Sequence, residues 1–146
     1  MKLSTKGRYA LRMMADIAEN QQNGYVALKD IAARQEISKK YLEQIALHLS
    51  QRGMLRAVRG YQGGYMLARP AADYTVAEIV IAAEGSLAPV NCLEAPDSCP
   101  RRNYCKTLPV WMALDQVISD CLGCITLEDV VRGKIPEFSV KTKSRR

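Results

Sequence analysis

Ser38-Lys39-Lys40-Tyr41-Leu42-Glu43-Gln44-Ile45-Ala46-Leu47-His48-Leu49 reads as a short helix with two unlike faces. At helical spacing Leu42, Ile45, Ala46 and Leu49 fall on one side. Lys39, Lys40, Glu43 and Gln44 face the other way, near the N-terminal end. Ser38 precedes the run with a side-chain oxygen suited to the orphan N–H groups of a first turn. Such a helix can pack its apolar side inward and present Lys, Glu and Gln to a DNA major groove. A solvated surface helix has the same pattern, so the flanking sequence decides between them.

Upstream, Ser4 or Thr5 can cap a helix running to about Gln21, with Ala10, Leu11, Met14, Ile17 and Ala18 as its apolar stripe. Residues 20–24 stop it, Tyr25-Val26-Ala27 suggests a short strand, and a second helix over 28–34 turns Leu28, Ile31 and Ala32 inward. Gln35-Glu36-Ile37 makes the turn into Ser38. Helix, brief turn, helix with a polar front is the helix-turn-helix pattern. Downstream, Gly53 suits the left-handed position that closes a helix. Residues 55–59 and 65–69 then alternate as strands about the turn Gly60-Tyr61-Gln62-Gly63-Gly64, and Pro70 ends the second. This hairpin reads as a wing, its glycines letting the tip approach a backbone closely, with Arg59 beside it. The expected fold is mainly α with a small β-hairpin wing, a winged helix-turn-helix followed by a long C-terminal dimerisation helix.

That later helix is expected from Thr107-Leu108-Pro109 to about Leu122. Val110, Trp111, Leu114, Val117, Ile118 and Cys121 form a stripe that a winged head cannot easily bury, hence the dimerisation role; packing on its own domain is the alternative. Before it, Thr75-Val76-Ala77-Glu78 is a capping box opening a helix to about Glu84, stopped by Gly85. Residues 86–106 read as a long loop, and loops of that length are commonly functional or disordered. Thr126 caps a last short helix with Leu127, Val130 and Val131, ended by Gly133. The division expected is a DNA-binding head over 1–74, a sensor loop and dimerisation helices over 75–138, and a disordered basic tail over 139–146.

Charge follows the same division. Residues 1–74 carry 12 Lys and Arg against 6 Asp and Glu, whereas 75–138 carry 5 against 9. A basic first half beside an acidic second half points to a nucleic-acid-facing part and a part with another task. The tail adds Lys141, Lys143, Arg145 and Arg146. No apolar run approaches the ~18–20 residues of a membrane span, and no apolar stretch of signal-peptide type follows the basic start. The expected location is the cytoplasm, with no membrane partner.

The five cysteines are Cys92, Cys99, Cys105, Cys121 and Cys124. An odd number without a secretory signal argues against a disulfide scaffold. Cys92, Cys99 and Cys105 are too widely spaced for a zinc ribbon; they suit a loop wrapped around something larger than one ion, such as an iron–sulfur cluster. A cluster-free thiol or persulfide sensor and a chance grouping are the alternatives. Cys121-Leu122-Gly123-Cys124 has the CxxC form but lies at a helix end. Two small core residues are the expectation there.

Lys2-Leu3-Ser4-Thr5-Lys6-Gly7-Arg8-Tyr9-Ala10, Tyr41-Leu42-Glu43-Gln44, Val58-Arg59-Gly60 with Gly63-Gly64-Tyr65, and Ile125-Thr126-Leu127-Glu128-Asp129 recur in this order in one family. By these motifs the chain resembles the Rrf-two family of bacterial winged-helix regulators over all but its basic tail, its IscR-type members most of all and its NsrR- and CymR-type members beside them. The resemblance implies a homodimer binding a palindrome-like double-stranded DNA operator through two winged heads. Gln44 can then pair with an adenine edge and Glu43 accept from a cytosine amino group. The charge of Glu43 also repels phosphate, so it is expected to penalise sites lacking that cytosine. Ser38, Lys39, Lys40 and Tyr41 are placed for phosphates, and Arg59, Gly60 and Tyr61 for the minor groove. His48 is expected near phosphate.

The resemblance further implies that Cys92, Cys99 and Cys105 hold a [2Fe-2S] cluster. IscR-type members carry a histidine three residues after the third cysteine, where this chain has Leu108; NsrR-type members carry an aspartate near the start of the first helix, where it has Arg8. The fourth ligand stays open among Glu94, Asp97, Cys121, Cys124 and a group of the other subunit. Ordering of the loop is expected to bear on the dimer helix and reset the spacing of the two heads, since a ligand shifts affinity only through its preference between two states. Two other classes compete. A CxxC oxidoreductase lacks a nearby general base, and a protein-binding adaptor does not account for the basic first half.

Overall fold

The computed structural model describes residues 2–140; the tail cations Lys141, Lys143, Arg145 and Arg146 lie outside the described residues. Helix α1 spans Thr5–Asn20, with Ser4 as its cap, the hydroxyl accepting from the Lys6 N–H at 3.1 Å. Its face of Ala10, Met13, Met14 and Ile17 is fully buried. The strand expected at 25–27 shrinks to one bridge, Val26 exchanging hydrogen bonds of 2.8 and 2.9 Å with Tyr65. Ala27 already caps the next helix, so no residue is left to extend the pairing.

Helix α2 covers Leu28–Gln35 and α3 covers Lys39–Gln51. The joint between them turns on Glu36, the one non-glycine among the described residues with a positive φ, 54°. A left-handed conformation costs a side-chain-bearing residue about 1–2 kcal/mol, partly offset by the extra chain entropy glycine loses. Glu36→Gly should therefore raise stability by up to about 1 kcal/mol, measured as a higher urea midpoint. Ser38 caps α3 as expected, its hydroxyl accepting from the Tyr41 N–H at 3.2 Å, and Leu42, Ile45, Ala46 and Leu49 are buried.

The wing is the antiparallel pair β1 (Leu55–Val58) and β2 (Gly64–Leu67), with Leu55 opposite Leu67 and Val58 opposite Gly64. β1 stops one residue earlier than expected because the chain folds tightly at 59–63, where a Cβ at Gly63 would fall on the Val58 carbonyl, while β2 begins one residue early and ends at Leu67. A Cβ at Gly64 would likewise fall on the Val26 carbonyl, so the turn end of β2 lies directly against the entry to α2.

Helix α4 (Val76–Glu84) opens with the expected capping box between Thr75 and Glu78. Ile79, Ala82 and Ala83 share one hydrophobic core with α1 and α3, so the core continues past residue 74. Tyr74 is fully buried; its hydroxyl donates to the Met54 carbonyl at 2.7 Å and accepts from the Arg69 N–H at 3.0 Å, fastening the wing base to α4. The segment expected as a loop holds one short helix, α5 (Asn91–Glu94), and single 3-10 turns at Pro96–Ser98 and Arg102–Tyr104. Helix α6 (Leu108–Gly123) follows, packed along α4 but with none of its residues buried. The chain then returns to the head through α7 (Leu127–Arg132). Val76 N–H to the Ile125 carbonyl (2.8 Å) and Leu127 N–H to the Tyr74 carbonyl (3.0 Å) draw Leu127 fully into the core. Among the described residues no helix is long and apolar enough to cross a membrane.

Candidate nucleic-acid interface and cysteine loop

The solvent side of α3 divides into two stripes at four-residue spacing. Lys39, Glu43 and Leu47 line a trough of about 690 Å³ whose opposite wall is the wing, with Arg59, Gly60 and Tyr61. Tyr61 at the wing tip is wholly exposed. Lys29 reaches the same trough from α2, a cation the sequence reading did not single out because no motif marks it. Lys40 and Gln44 form the second stripe, exposed but outside the trough. Ser38 spends its hydroxyl on the helix cap. Tyr41 is half-buried and packs edge-on against Tyr9, ring centroids 5.7 Å apart, with the Arg12 guanidinium 5.1 Å over the Tyr9 ring.

Behind α3, a polar network sets the angle at which it is presented. Asp16 of α1 is buried at 2% exposure and accepts from Arg34 Nη2 at 2.7 Å, Arg34 Nε at 3.0 Å and Gln35 Nε2 at 2.9 Å. Arg12 in turn donates to the Gln35 side chain and carbonyl. The hydrogen bond with Asp16 holds the Arg34 guanidinium above its ordinary pKa. The end of α2 is thus clamped to α1 by charge-assisted hydrogen bonds. His48 Nε2 lies 3.1 Å from Lys6 Nζ, so the ring accepts from an ammonium on α1. It continues the Lys40–Gln44 stripe by one further turn, on the side of α3 that meets the start of α1.

A second long-range contact went unforeseen. Glu84, the last residue of α4, closes the start of α1: one carboxylate oxygen accepts from the Ser4 N–H (2.9 Å), the Ser4 hydroxyl (2.5 Å) and the Gly7 N–H (3.1 Å). A negative group at a helix N-terminus is favoured by the orphan N–H groups and the helix dipole. Any Cβ at Gly7 would collide with this side chain, which explains the glycine. No local spacing announces a pairing across about eighty positions. Only the close-packed glycine is visible in sequence.

Glu84 also marks the root of the cysteine loop. Cys92 lies on α5, Cys99 and Cys105 follow the two turns, and all three are free and half-buried. Arg102 donates to the Cys92 carbonyl at 2.8 Å, folding the loop back on itself. The donor set suits an iron–sulfur cluster in chemistry, three thiols on one loop. Among the described residues, however, no three Cys, His, Asp or Glu side chains are gathered to hold a metal ion. Cys121 lines a groove of about 520 Å³ with Leu122, Glu84 and Glu94, while Cys124 is exposed and donates to the Cys121 carbonyl at 3.1 Å. The expectation of two core cysteines therefore holds for neither in full.

The Cys105 thiol lies 3.3 Å from the Thr107 hydroxyl, and this hydrogen bond, with help from the Thr107 backbone and the Arg101 charge, lowers its pKa. A lowered thiol pKa means more thiolate near neutral pH, the form that alkylates and ligates. Thr107→Val should move the alkylation of Cys105 by iodoacetamide in the metal-free chain to higher pH, read by peptide mass spectrometry. The Thr107 hydroxyl makes no cap bond to α6, so the helix should be undisturbed. An unmoved pH profile would remove the assignment.

Residues 3–133 match a protein family described as Rrf2, iron-dependent transcriptional regulator. The chain is 40% identical over 134 residues to the HTH-type transcriptional regulator IscR of Xenorhabdus nematophila, an alignment covering 92% of this chain and 81% of that one. Among solved structures it is similar to T. potens IscR, with a TM-score of 0.74 and 38% identity over 91% of this chain and 88% of that one. It is also similar to CymR, the global cysteine regulator of B. subtilis, with a TM-score of 0.73 and 33% identity over 91% and 98% of the two chains.

Proposed function

The chain belongs to the Rrf2 family of transcriptional regulators, and from that premise we propose that it reads a DNA operator with α3 and the wing, as a homodimer whose affinity is set by the cysteine loop. The observation that carries the reading is the trough that unites Lys39 and Glu43 with Arg59, Gly60 and Tyr61. One side of it can enter a major groove while the other reaches along the neighbouring backbone, the docking expected of a recognition helix with an appended arm. Lys39 and Lys40 supply phosphate contacts, Glu43 and Gln44 supply base contacts, and Arg59 reaches the minor groove from the wing. The test is retardation of a DNA fragment from the chain's own promoter region across a salt series. Binding that weakens steeply with salt and exceeds binding to random DNA is expected; salt-insensitive or absent binding would sink the proposal.

Dimerisation is assigned to α6. Val110 and Met112 are 58% and 51% exposed, and Trp111, Leu114, Val117 and Ile118 are only half-buried. That is a large apolar face for a monomer to leave in water. Sedimentation should give twice the chain mass, and Val110→Asp should shift it toward the monomer.

For the loop, Cys92, Cys99 and Cys105 would hold a [2Fe-2S] cluster, with the fourth ligand unassigned. A bound cluster would supply an iron centre sensitive to oxidation. The chain's own part is positional: α6 begins three residues after Cys105 and Glu84 stands seven residues before Asn91, where α5 begins, so order in the loop fixes the start of one helix and the end of another. Anaerobic purification with a visible spectrum and iron and sulfide analysis tests this. A cluster-free thiol sensor is the second reading, favoured by the Thr107 hydroxyl 3.3 Å from the Cys105 thiol and the lowered Cys105 pKa. Colourless protein whose operator binding responds to thiol oxidation would establish it instead.

A further inference from the structure

Leu47 is an anomaly on α3. Leu42, Ile45 and Leu49 are all at 0% exposure, yet Leu47 is 56% exposed and stands on the outward stripe with Lys39 and Glu43. Across the trough Val58, at 44% exposure, is a branched aliphatic residue of the wing facing the same space, beside Ala57 and the Tyr61 and Tyr65 rings. Two exposed branched aliphatic side chains therefore lie inside a trough whose charged lining is three cations, Lys29, Lys39 and Arg59, against one carboxylate, Glu43. The cationic rim selects a polyanion, and the apolar floor requires that the polyanion expose an apolar group within its groove. The major groove of DNA has one such group, the C5-methyl of thymine. From Lys39 to Leu47 the helix rises about 12 Å, close to the width of that groove, roughly 12 Å.

We propose that Leu47, backed by Val58, reads a thymine methyl beside the base that Glu43 reads, making it a specificity-determining residue. The inference rests on the DNA-reading role proposed above. Glu43 rejects a site by charge, whereas Leu47 rewards one by contact, so the stripe carries both signs of discrimination.

Deoxyuridine differs from thymine only by that methyl, which permits a clean test. Operator fragments with each symmetric pair of thymines replaced in turn by deoxyuridine are titrated with the full chain by fluorescence anisotropy. One pair should weaken binding by about fourfold per half-site, the usual worth of a single buried methyl-sized group. Leu47→Ala should bind thymine and deoxyuridine fragments alike at that pair; because Leu47 is exposed, the variant should keep the native circular dichroism and urea midpoint. Insensitivity of the unaltered protein at every thymine, or an undiminished difference in Leu47→Ala, would overturn the proposal. Failure to bind the thymine fragment in any salt would overturn it together with the DNA-reading role.

Discussion

Arg34→Ala is expected to cost the fold about 3 kcal/mol, the low end of the usual loss when one partner of a buried ion pair is removed. The loss should appear as a lower urea midpoint at unchanged slope. Asp16 is almost wholly enclosed, and Arg34 supplies three of its hydrogen bonds, at 2.7, 3.0 and 3.3 Å. Without the guanidinium the carboxylate keeps Gln35 as a partner but carries an uncompensated charge away from water. The low end is appropriate because the Arg34 side chain is 40% exposed, so water can enter part of the vacated space. Asp16→Asn on top of Arg34→Ala should recover some stability, since a neutral amide leaves no buried charge. Strictly additive losses would show that the pair is not what holds α2 to α1.

Gln44→Ala is expected to lower operator affinity by about 1–3 kcal/mol, the worth of one good bidentate base contact, while hardly changing affinity for random DNA. Lys40→Ala, its neighbour on the same exposed stripe, should weaken both alike and reduce the salt slope by about one. The contrast is informative because the two side chains share one face of one helix, four residues apart. Whatever tilts or frays α3 would affect both variants in the same way. Equal losses on operator and random DNA for Gln44→Ala would end its role as a base reader.

What the sequence disclosed and what it hid divide along range. Ser38, Gly53 and the Thr75–Glu78 capping box act within a few residues, and each bounds a helix where local chemistry says it should. The wing was legible from its glycines, though the close approaches of Gly63 and Gly64 were not, because they depend on carbonyls of Val58 and Val26. The contacts of His48, Glu84 and Leu47 are not legible in the sequence for one reason: their surroundings are set by elements distant in sequence. His48 meets Lys6, Glu84 meets Ser4 and Gly7, and Leu47 is bare because no core element crosses its stripe. The three loop cysteines were easy to find, but their mutual geometry depends on what, if anything, binds between them.

The Glu84 carboxylate gives the molecule two built-in spectroscopic probes. The amide protons of Ser4 and Gly7 both point at a single oxygen of it, at 2.9 and 3.1 Å. Hydrogen-bonded to a charged acceptor, they should resonate downfield and exchange slowly with deuterium despite lying at the edge of the chain. Glu84→Gln should move both signals upfield and speed their exchange. Any event at the foot of the cysteine loop that withdraws the carboxylate would be seen in the same two peaks, so the state of the loop can be followed from the first turn of the head without touching a cysteine.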